Sequence, residues 1–440
     1  MKRLLRILSN CALVLGLAAG VAVWSMLGWR EALGLGVIGV LWLVLTRSGW
    51  RTLSVTRVGL STLPQRLGSA SVIVVGIAGV VGVLVALLAM ADGFQQTLRS
   101  TGSDDTAIVL RGGSQAELNS VLTRSDVNVI AAAPGIARDT AGKPIVSPEL
   151  SVVANLPKKS DPAVEANVQI RGVGQKAWKV WPNVRIVEGR KFKPGLRELI
   201  AGVGAEAQFA GLKIGKSLRL GGQEWTVVGT FQAHDAHDSE LWGDLDTVAS
   251  AYRRGSSVQS VIVKLTSPGA FDAFKAAVTS DPRLKVEVST TRAYYAKQSE
   301  GLTKVLRIVG LVVGIIMAIG AVFGALNTMY AAVAARAREI ATLRAVGFRN
   351  GPVVLSVMLE TLLLAALGGI LGGLVTWLLF NGYTASTLGA NFSQVVFQFR
   401  VTPHLLWNGL KWALAIGLVG GLFPAVRAAR LPVTTALRES

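Results

Sequence analysis

The sequence predicts a polytopic α-helical membrane protein that carries one large mixed α/β domain outside the cytoplasm. Four core transmembrane helices, one and then three, are joined by an additional N-terminal helical hairpin. Three observations predict this. Half of the 440 residues are hydrophobic (51%) and only 16% are charged, a balance suited to a bilayer rather than to one soluble core. The net charge of +19 is unevenly spread: residues 92–300 hold 26 Lys/Arg against 22 Asp/Glu, while the remainder holds 19 bases against Glu31, Glu339, Glu360 and Glu439 alone. Most of those 19 bases flank apolar runs, which is the positive-inside pattern of a membrane protein and not the stripe of a nucleic-acid binder. Nucleic acid is therefore excluded as a partner, and the lipid bilayer is expected as one.

The first element is a transmembrane hairpin over residues 1–46. Lys2, Arg3 and Arg6 precede an apolar run at 11–27, and a second run at 32–45 follows almost at once. A signal peptide is the competing reading, but no convincing small-x-small cleavage site follows the first run. The second run is short for a span, against the ~20 residues needed. Trp42 and Trp50 would extend it as interfacial anchors. Residues 47–69, with Arg47, Arg51, Arg57 and Arg66, return to the cytoplasm. Trp50, Leu53, Val58, Leu63 and Leu67 among them fit either an amphipathic surface segment or an ordinary linker. Residues 70–91 carry no charge and form the first core span, with Gly76, Gly79 and Gly82 permitting close helix approach.

From 92 to 300 charges of both signs alternate with recurrent prolines and short β-rich runs at 106–110, 225–230 and 260–265. Residues 270–278 read as a helix with Phe271 and Phe274 on one side. Following an outward-going span, this α/β domain lies in the periplasm or outside. Cys11 is the one cysteine, so the domain stands on its core without a disulfide.

Two motifs in it invite chemistry. Gly211-Leu-Lys-Ile-Gly215-Lys216-Ser217 resembles a phosphate loop, but three residues separate its glycines where four are needed to wrap the phosphates. The residues that follow read as a strand and a turn, not as a helix N-terminus. His234, Asp235, His237, Asp238 and Glu240 offer metal-type ligands at i, i+3 and nearby. They stand without a second cluster, so His234 and His237 are weak candidates and a solvated loop is the preferred reading. His404 is read as structural. No Ser/His/Asp or Cys/His set is present for nucleophilic catalysis.

Residues 301–440 hold three further spans, at 308–330, 353–380 and 405–423. Residues 294–307 continue into the first of these as one unbroken helix. The cytoplasmic segment 331–350 carries Arg336, Arg338, Arg344 and Arg349 against Glu339 alone. A modest outer loop containing Arg400 joins the last two spans, and Arg427, Arg430 and Arg438 form a cytoplasmic tail. Small-xxx-small pairs recur: Gly310/Gly314, Gly320/Gly324, Gly368/Gly372, Gly369/Gly373 and Gly417/Gly421. Each favours tight helix packing or dimerisation. Glu360 is an intramembrane carboxylate, costly unless partnered, and pairing with Arg344 or Arg349 at the inner face is expected.

Four features in order resemble the MacB/FtsX/LolCE class of ABC-transporter permeases. They are Asn327-Thr-Met followed by RAREIATLRAVG over 336–347, then LETLLLAALGGILGG over 359–373, then GLFPAVRAAR over 421–430 leading to Ala436-Leu-Arg438, and the layout of one span, an outer domain and three spans. The resemblance covers roughly residues 67–440, and the N-terminal hairpin departs from the usual four-span pattern. It implies a permease of the bacterial inner membrane that couples ATP hydrolysis to movement of its periplasmic domain, for efflux or extraction of a substrate. Arg336, Arg338, Glu339, Ile340, Leu343, Arg344 and Gly347 would form the ATPase-coupling set, although positive-inside topology alone also accounts for the arginines. The chain itself would bind no cofactor and would not be an enzyme. ATP and Mg²⁺ would sit on a cytoplasmic dimer of ABC ATPase subunits, since no fused nucleotide-binding domain of the MacB kind is seen. A second permease copy, identical or paralogous, and a periplasmic adaptor protein would complete the assembly. The alternative within the class is an FtsX-like scaffold that activates a periplasmic cell-wall hydrolase without transport.

Overall fold

The structure is a computed structural model that describes residues 20–430 apart from 22, 25, 62 and 390. Most of the first apolar run, the basic residues before it and the tail from 431, Arg438 included, lie outside the described residues. In chain order the helices α1 (Trp29–Leu45), α2 (Arg47–Ser61) and α3 (Leu67–Thr101) come first. The strands β1 (Thr106–Arg111), β2 (Val146–Pro157), β3 (Glu165–Val173), β4 (Arg185–Gly189) and β5 (Glu198–Gly202) follow, with α4 (Arg124–Ala131) after β1 and α5 (Ala177–Val180) after β3. Next are α6 (Val203–Gln208), β6 (Ser217–Leu220), β7 (Gln223–Gln232), β8 (Glu240–Asp244), α7 (Leu245–Ala251), β9 (Ser260–Lys264), α8 (Phe271–Thr279) and β10 (Val286–Thr290). The chain ends with α9 (Thr291–Ala335), α10 (Ala337–Ala345), α11 (Asn350–Phe380), a hairpin of β11 (Thr384–Leu388) and β12 (Gln394–Gln398), and α12 (Pro403–Arg430).

Two compact units divide the chain, one of residues 1–90, 306–381 and 400–440 and the other of residues 91–305 and 382–399. Among the described residues, four helices are long and apolar enough to cross a membrane: Ala70–Thr101, Thr291–Ala335, Asn350–Phe380 and Pro403–Arg430. The expected unbroken helix is α9, whose 45 residues amount to about 67 Å, more than twice the ~30 Å of a hydrocarbon core. The second apolar run forms α1, which turns through 94° into α2. The buried face of α2 is not its apolar side. Thr52, Val55, Thr56 and Gly59 face inward at helical spacing and α2 packs against α11, while Trp50 and Val58 are exposed.

Glycines set the packing of α11 on both sides. A Cβ at Gly368 would come within 2.8 Å of the Val74 carbonyl, and one at Gly372 would collide with the backbone of Ala78, so this side lies tight on α3. The opposite pair, Gly369 and Gly373, meets Ala413 and Leu406 of α12. Gly417 and Gly421 answer from α12 against Ala365 and Thr361. Of the two roles open to these six glycines, close packing within one chain is the one they fill here.

The sheet unit is built on a mixed sheet of ten strands in the order β10-β1-β9-β2-β3-β8-β5-β7-β4, with β6 paired to β7. The β3–β8 and β5–β7 pairs are parallel and the remainder antiparallel. One apolar cluster gathers Leu150, Ile170, Leu241, Phe209 and Trp225. A second gathers Val109, Val261, Ile130 and Phe274, which places the expected helix at 270–278 on the core through Phe274. The false phosphate loop is resolved as expected. Gly211 and Gly215 take positive φ in a turn, and residues 217–220 form β6. The outer loop after α11 takes the form of the β11–β12 hairpin, and its residues 382–399 belong to the sheet unit.

Candidate functional site

The proposed coupling segment is not one basic helix. Helix α9 ends at Ala335, Arg336 leaves helical geometry (φ −106°, ψ 12°), and α10 begins anew at Ala337. The break coincides with a buried charge cluster. Arg336 Nη1 donates to Glu360 Oε2 at 2.8 Å, and Arg66 Nη2 donates to Glu360 Oε1 at 3.2 Å. The side chains are 13%, 4% and 18% exposed for Arg336, Glu360 and Arg66, deep enough that the carboxylate depends on both partners. Arg336 Nε also reaches Glu339 Oε2 at 3.3 Å.

This corrects the expected partners of Glu360, which are Arg336 and Arg66 and not Arg344 or Arg349. The physical reason is depth. Glu360 sits ten residues into α11, about 15 Å along its axis, where the end of α9 and the segment after α2 pass but the loop at Arg349 does not. Gly59 makes room, since a Cβ there would stand 2.6 Å from Arg336 Nη2.

Beyond the break, α10 is fixed by burial of Ile340 and Ala341 and by its C-terminal cap. Gly347, at φ +106°, lets its own N–H reach the Arg344 carbonyl and the Phe348 N–H reach that of Leu343. That pair of bonds is a Schellman cap, which needs a left-handed residue at this point. The seven residues of the expected coupling set therefore divide. Arg336 and Ile340 turn inward, Leu343 and Arg344 are half-buried, and Arg338, Glu339 and Gly347 are exposed. Val346, 76% exposed, and Arg349 join the exposed group.

The sheet unit holds a second cluster that the sequence reading did not single out. Strand alternation puts Glu149 of β2, Arg171 of β3 and Glu240 of β8 on the same face, opposite the face that bears Leu150, Ile170 and Leu241. Arg171 is 1% exposed. It donates to Glu240 through Nε (2.8 Å), to Glu149 through Nη1 (2.8 Å) and to Glu117 through both Nη1 (2.9 Å) and Nη2 (3.1 Å). Trp181 and Trp242 donate their indole N–H groups to Glu149 and Glu240, and Ser260 donates to Glu117.

Electrostatics separates these carboxyls. Burial opposes ionisation of Glu117, but the Arg171 guanidinium overcomes it and holds the group below its ordinary value. For Glu149 burial prevails, and its pKa is raised. The cluster also receives the first turns of α9. Tyr294 OH accepts the Glu117 N–H at 3.0 Å, Thr291 Oγ1 accepts the Ser103 N–H at 2.9 Å, and the Ala236 N–H reaches Thr101 Oγ1 at the end of α3.

The two candidate metal histidines do not come together. His234 is exposed at φ +59°, whereas His237 is fully buried with Nδ1 2.9 Å from Asp235 Oδ1. Burial works against a charge on His237, but Asp235 and Glu240 outweigh it and raise the pKa. Among the described residues no three His, Cys, Asp or Glu side chains are placed to hold a metal ion. His404 meets Asn408 at 3.2 Å, one turn along α12.

Residues 70–281 match the MacB-like periplasmic core domain, and residues 311–433 match the FtsX-like permease C-terminal family. The chain is 25% identical over 395 residues to the macrolide export ATP-binding/permease protein MacB of Bordetella avium, covering 83% of this chain and 57% of that protein. It is 29% identical over 198 residues to the protein of the same name from Campylobacter jejuni strain 81-176, covering 44% and 26%. The chain thus spans little more than half the length of the curated relatives it matches most fully. The crystal structure of the periplasmic region of MacB from Actinobacillus actinomycetemcomitans aligns at a TM-score of 0.34 and 18% identity, covering 46% of this chain and 94% of that one. With two permease-type domains matched in sequence order and spanning-length helices around them, the chain belongs to the MacB/FtsX-type family of ABC-transporter permeases.

Proposed function

We propose that this chain is the permease subunit of a mechanotransmitting ABC transporter in a bacterial inner membrane. ATP is hydrolysed, with Mg²⁺, on a separate cytoplasmic ATPase dimer that docks on α10. A second permease copy completes the membrane part, and motion of the sheet domain in the periplasm serves export or extraction of a substrate, together with an adaptor protein. The observation that carries this reading is α10 itself: a short basic helix between two spans, capped at Gly347 and anchored by Ile340, with Arg338, Val346 and Arg349 left outward. An outward basic face beside an exposed aliphatic side chain suits an acidic cleft on a partner, where charge complementarity sets register.

The test is co-purification of an ABC ATPase with the full chain from its own bacterium. Arg338→Glu with Arg349→Glu should abolish recovery of the ATPase at unchanged membrane yield, and full recovery would remove the proposal. Crosslinking from the sheet domain separates the two branches of the class. An adaptor protein supports export, while a cell-wall hydrolase replaces export with regulation.

A further inference from the structure

The sheet unit contains a cavity of about 320 Å³ walled by four separate segments. Thr97 comes from the end of α3, Val203, Gly204 and Ala207 from α6, and Gln232, His234, Asp235 and Asp238 from the turn after β7. Thr384 of β11 and residues 396–398 of β12 complete it, and every one of these residues belongs to the sheet unit. The volume lies within the ~300–1,000 Å³ range of small-molecule sites.

Hydrogen bonds and one glycine hold the walls in place. Asp238 accepts the Ala233 N–H at 2.6 Å and the His234 N–H at 3.1 Å, which closes the turn that carries His234 at φ +59°. Ser239 Oγ accepts the Val396 N–H at 2.8 Å, joining that turn to the hairpin. A Cβ at Gly204 would stand 2.9 Å from the Asp238 carbonyl oxygen and 3.1 Å from Val396 Cβ. Glycine is what lets α6 meet both walls at once.

The lining selects the chemistry of an occupant. Seven of the twelve lining residues carry polar side chains, too many for a hydrocarbon ligand. None of the twelve is lysine or arginine, so an anion would find no countercharge. Both carboxylates are already engaged, Asp238 by the two backbone N–H groups and Asp235 by His237 at 2.9 Å and by the Asn183 amide. The side chains of Thr97, Gln232, His234, Thr384 and Gln398 make no hydrogen bond to other described residues. Two hydroxyls, two amides and an imidazole therefore converge uncommitted on one space, and each both donates and accepts.

We propose that this cavity binds a neutral, hydroxyl-rich ligand, one or two sugar rings in size. A sugar hydroxyl donates and accepts together, so it is matched by groups that do both rather than by ions. Val203, Ala207 and Val396 supply apolar wall for the C–H face of a ring. The inference goes beyond the permease reading and needs neither an ATPase on α10 nor an exported substrate.

The experiment is saturation-transfer NMR of the full chain in nanodiscs, which avoids sugar-headed detergents, with glucose, N-acetylglucosamine and maltose as probes. Glucose 6-phosphate and glucosamine serve as the anionic and cationic comparisons. At least one neutral sugar should bind saturably and more tightly than either charged one. Gln232→Ala and Gln398→Ala should each weaken it about fivefold, the worth of one hydrogen bond, and Val396→Trp should abolish it by filling the cavity. The two glutamine variants decide alone if Val396→Trp does not fold. No saturable signal from any of the three neutral sugars overturns the proposal, as does binding left unchanged in both glutamine variants. Tighter binding of glucosamine than of the neutral sugars also overturns it, because the aspartates would then be recognising a cation. Recovery of the ATPase with the glutamine variants should equal that of the wild type, and a loss there would mean that these side chains serve the assembly and not a sugar.

Discussion

Arg336 meets Glu360 at 2.8 Å at the one residue where the chain stops being α9 and has not yet become α10. A guanidinium anchored at a helix break fixes the angle at which the following helix leaves. Arg66 grips the other oxygen of the same carboxylate, so Glu360 ties together the segment after α2, the end of α9 and α11.

The two ends of that contact should not be equivalent. Arg336→Ala leaves Glu360 paired with Arg66, which limits the loss to about 1–3 kcal/mol. Glu360→Ala leaves two guanidinium groups facing each other with no shared anion, and about 3–5 kcal/mol is expected. Thermal unfolding in detergent should rank Glu360→Ala well below Arg336→Ala. Equal or reversed losses would show that Glu360 is not the shared partner.

The glycines make a paired prediction. Gly372→Ala drives a methyl into the backbone of Ala78, which cannot rotate away, so α3 and α11 must separate. Overpacking of this kind costs about 1–3 kcal/mol. Gly320→Ala meets nothing within 4 Å and should be neutral or slightly stabilising, because alanine is the better helix former. Melting temperatures of the two variants measure the contrast. A destabilising Gly320→Ala would instead place another surface against α9.

The spans, the unbroken α9 and the main strands were legible because each rests on a local pattern: uncharged length for a helix, β-branched runs for a strand. The hairpin at 384–398 was not. Lying between two spans it reads as a loop, and it gains order through partners distant in sequence, such as the Ser239 hydroxyl that accepts the Val396 N–H and the Phe94 ring edge-on to Phe397. Arg171 escaped notice for a related reason. In β3 it alternates with Ile170 as a solvent-facing residue would, and segments distant in sequence, among them the 3₁₀ turn at Glu117–Asn119, Trp181 and the first turns of α9, convert that face into an interior. The inward turn of Arg336 was equally hidden, since its partner Glu360 is known only once α11 is placed beside the break.

Arg171 is predicted to be the most sensitive position of the sheet unit. Arg171→Met fills a similar volume but strands Glu117, Glu149 and Glu240 together, and removing the shared cation from buried carboxylates costs about 3–5 kcal/mol or more. Arg171→Lys keeps the charge but lacks the planar fork that serves three carboxylates at once, so partial rescue is expected. Limited proteolysis of the full chain should cut residues 92–300 readily in Arg171→Met, less in Arg171→Lys and least in the wild type. Equal resistance in all three would mean that the cluster contributes nothing to the domain.

His237 should make the domain pH-sensitive, and the sign follows from its surroundings. It touches Asp235, lies near Glu240 and Arg171, and is enclosed by the rings of Trp181, Trp242 and Tyr295. Its folded-state pKa is raised above the ordinary histidine value because Asp235 and Glu240 outweigh burial. A group whose pKa rises on folding binds its proton more tightly in the native state, so its contribution is complete below the unfolded value of about 6.5. That contribution is lost as pH climbs through the raised folded value. The melting temperature of the wild type should therefore fall from near-neutral pH upward, and His237→Asn, which cannot titrate, should flatten that slope while lowering stability at acid pH. A wild-type profile that rises across the same range, or a variant with the same slope, would show that His237 is buried neutral despite its two acidic neighbours.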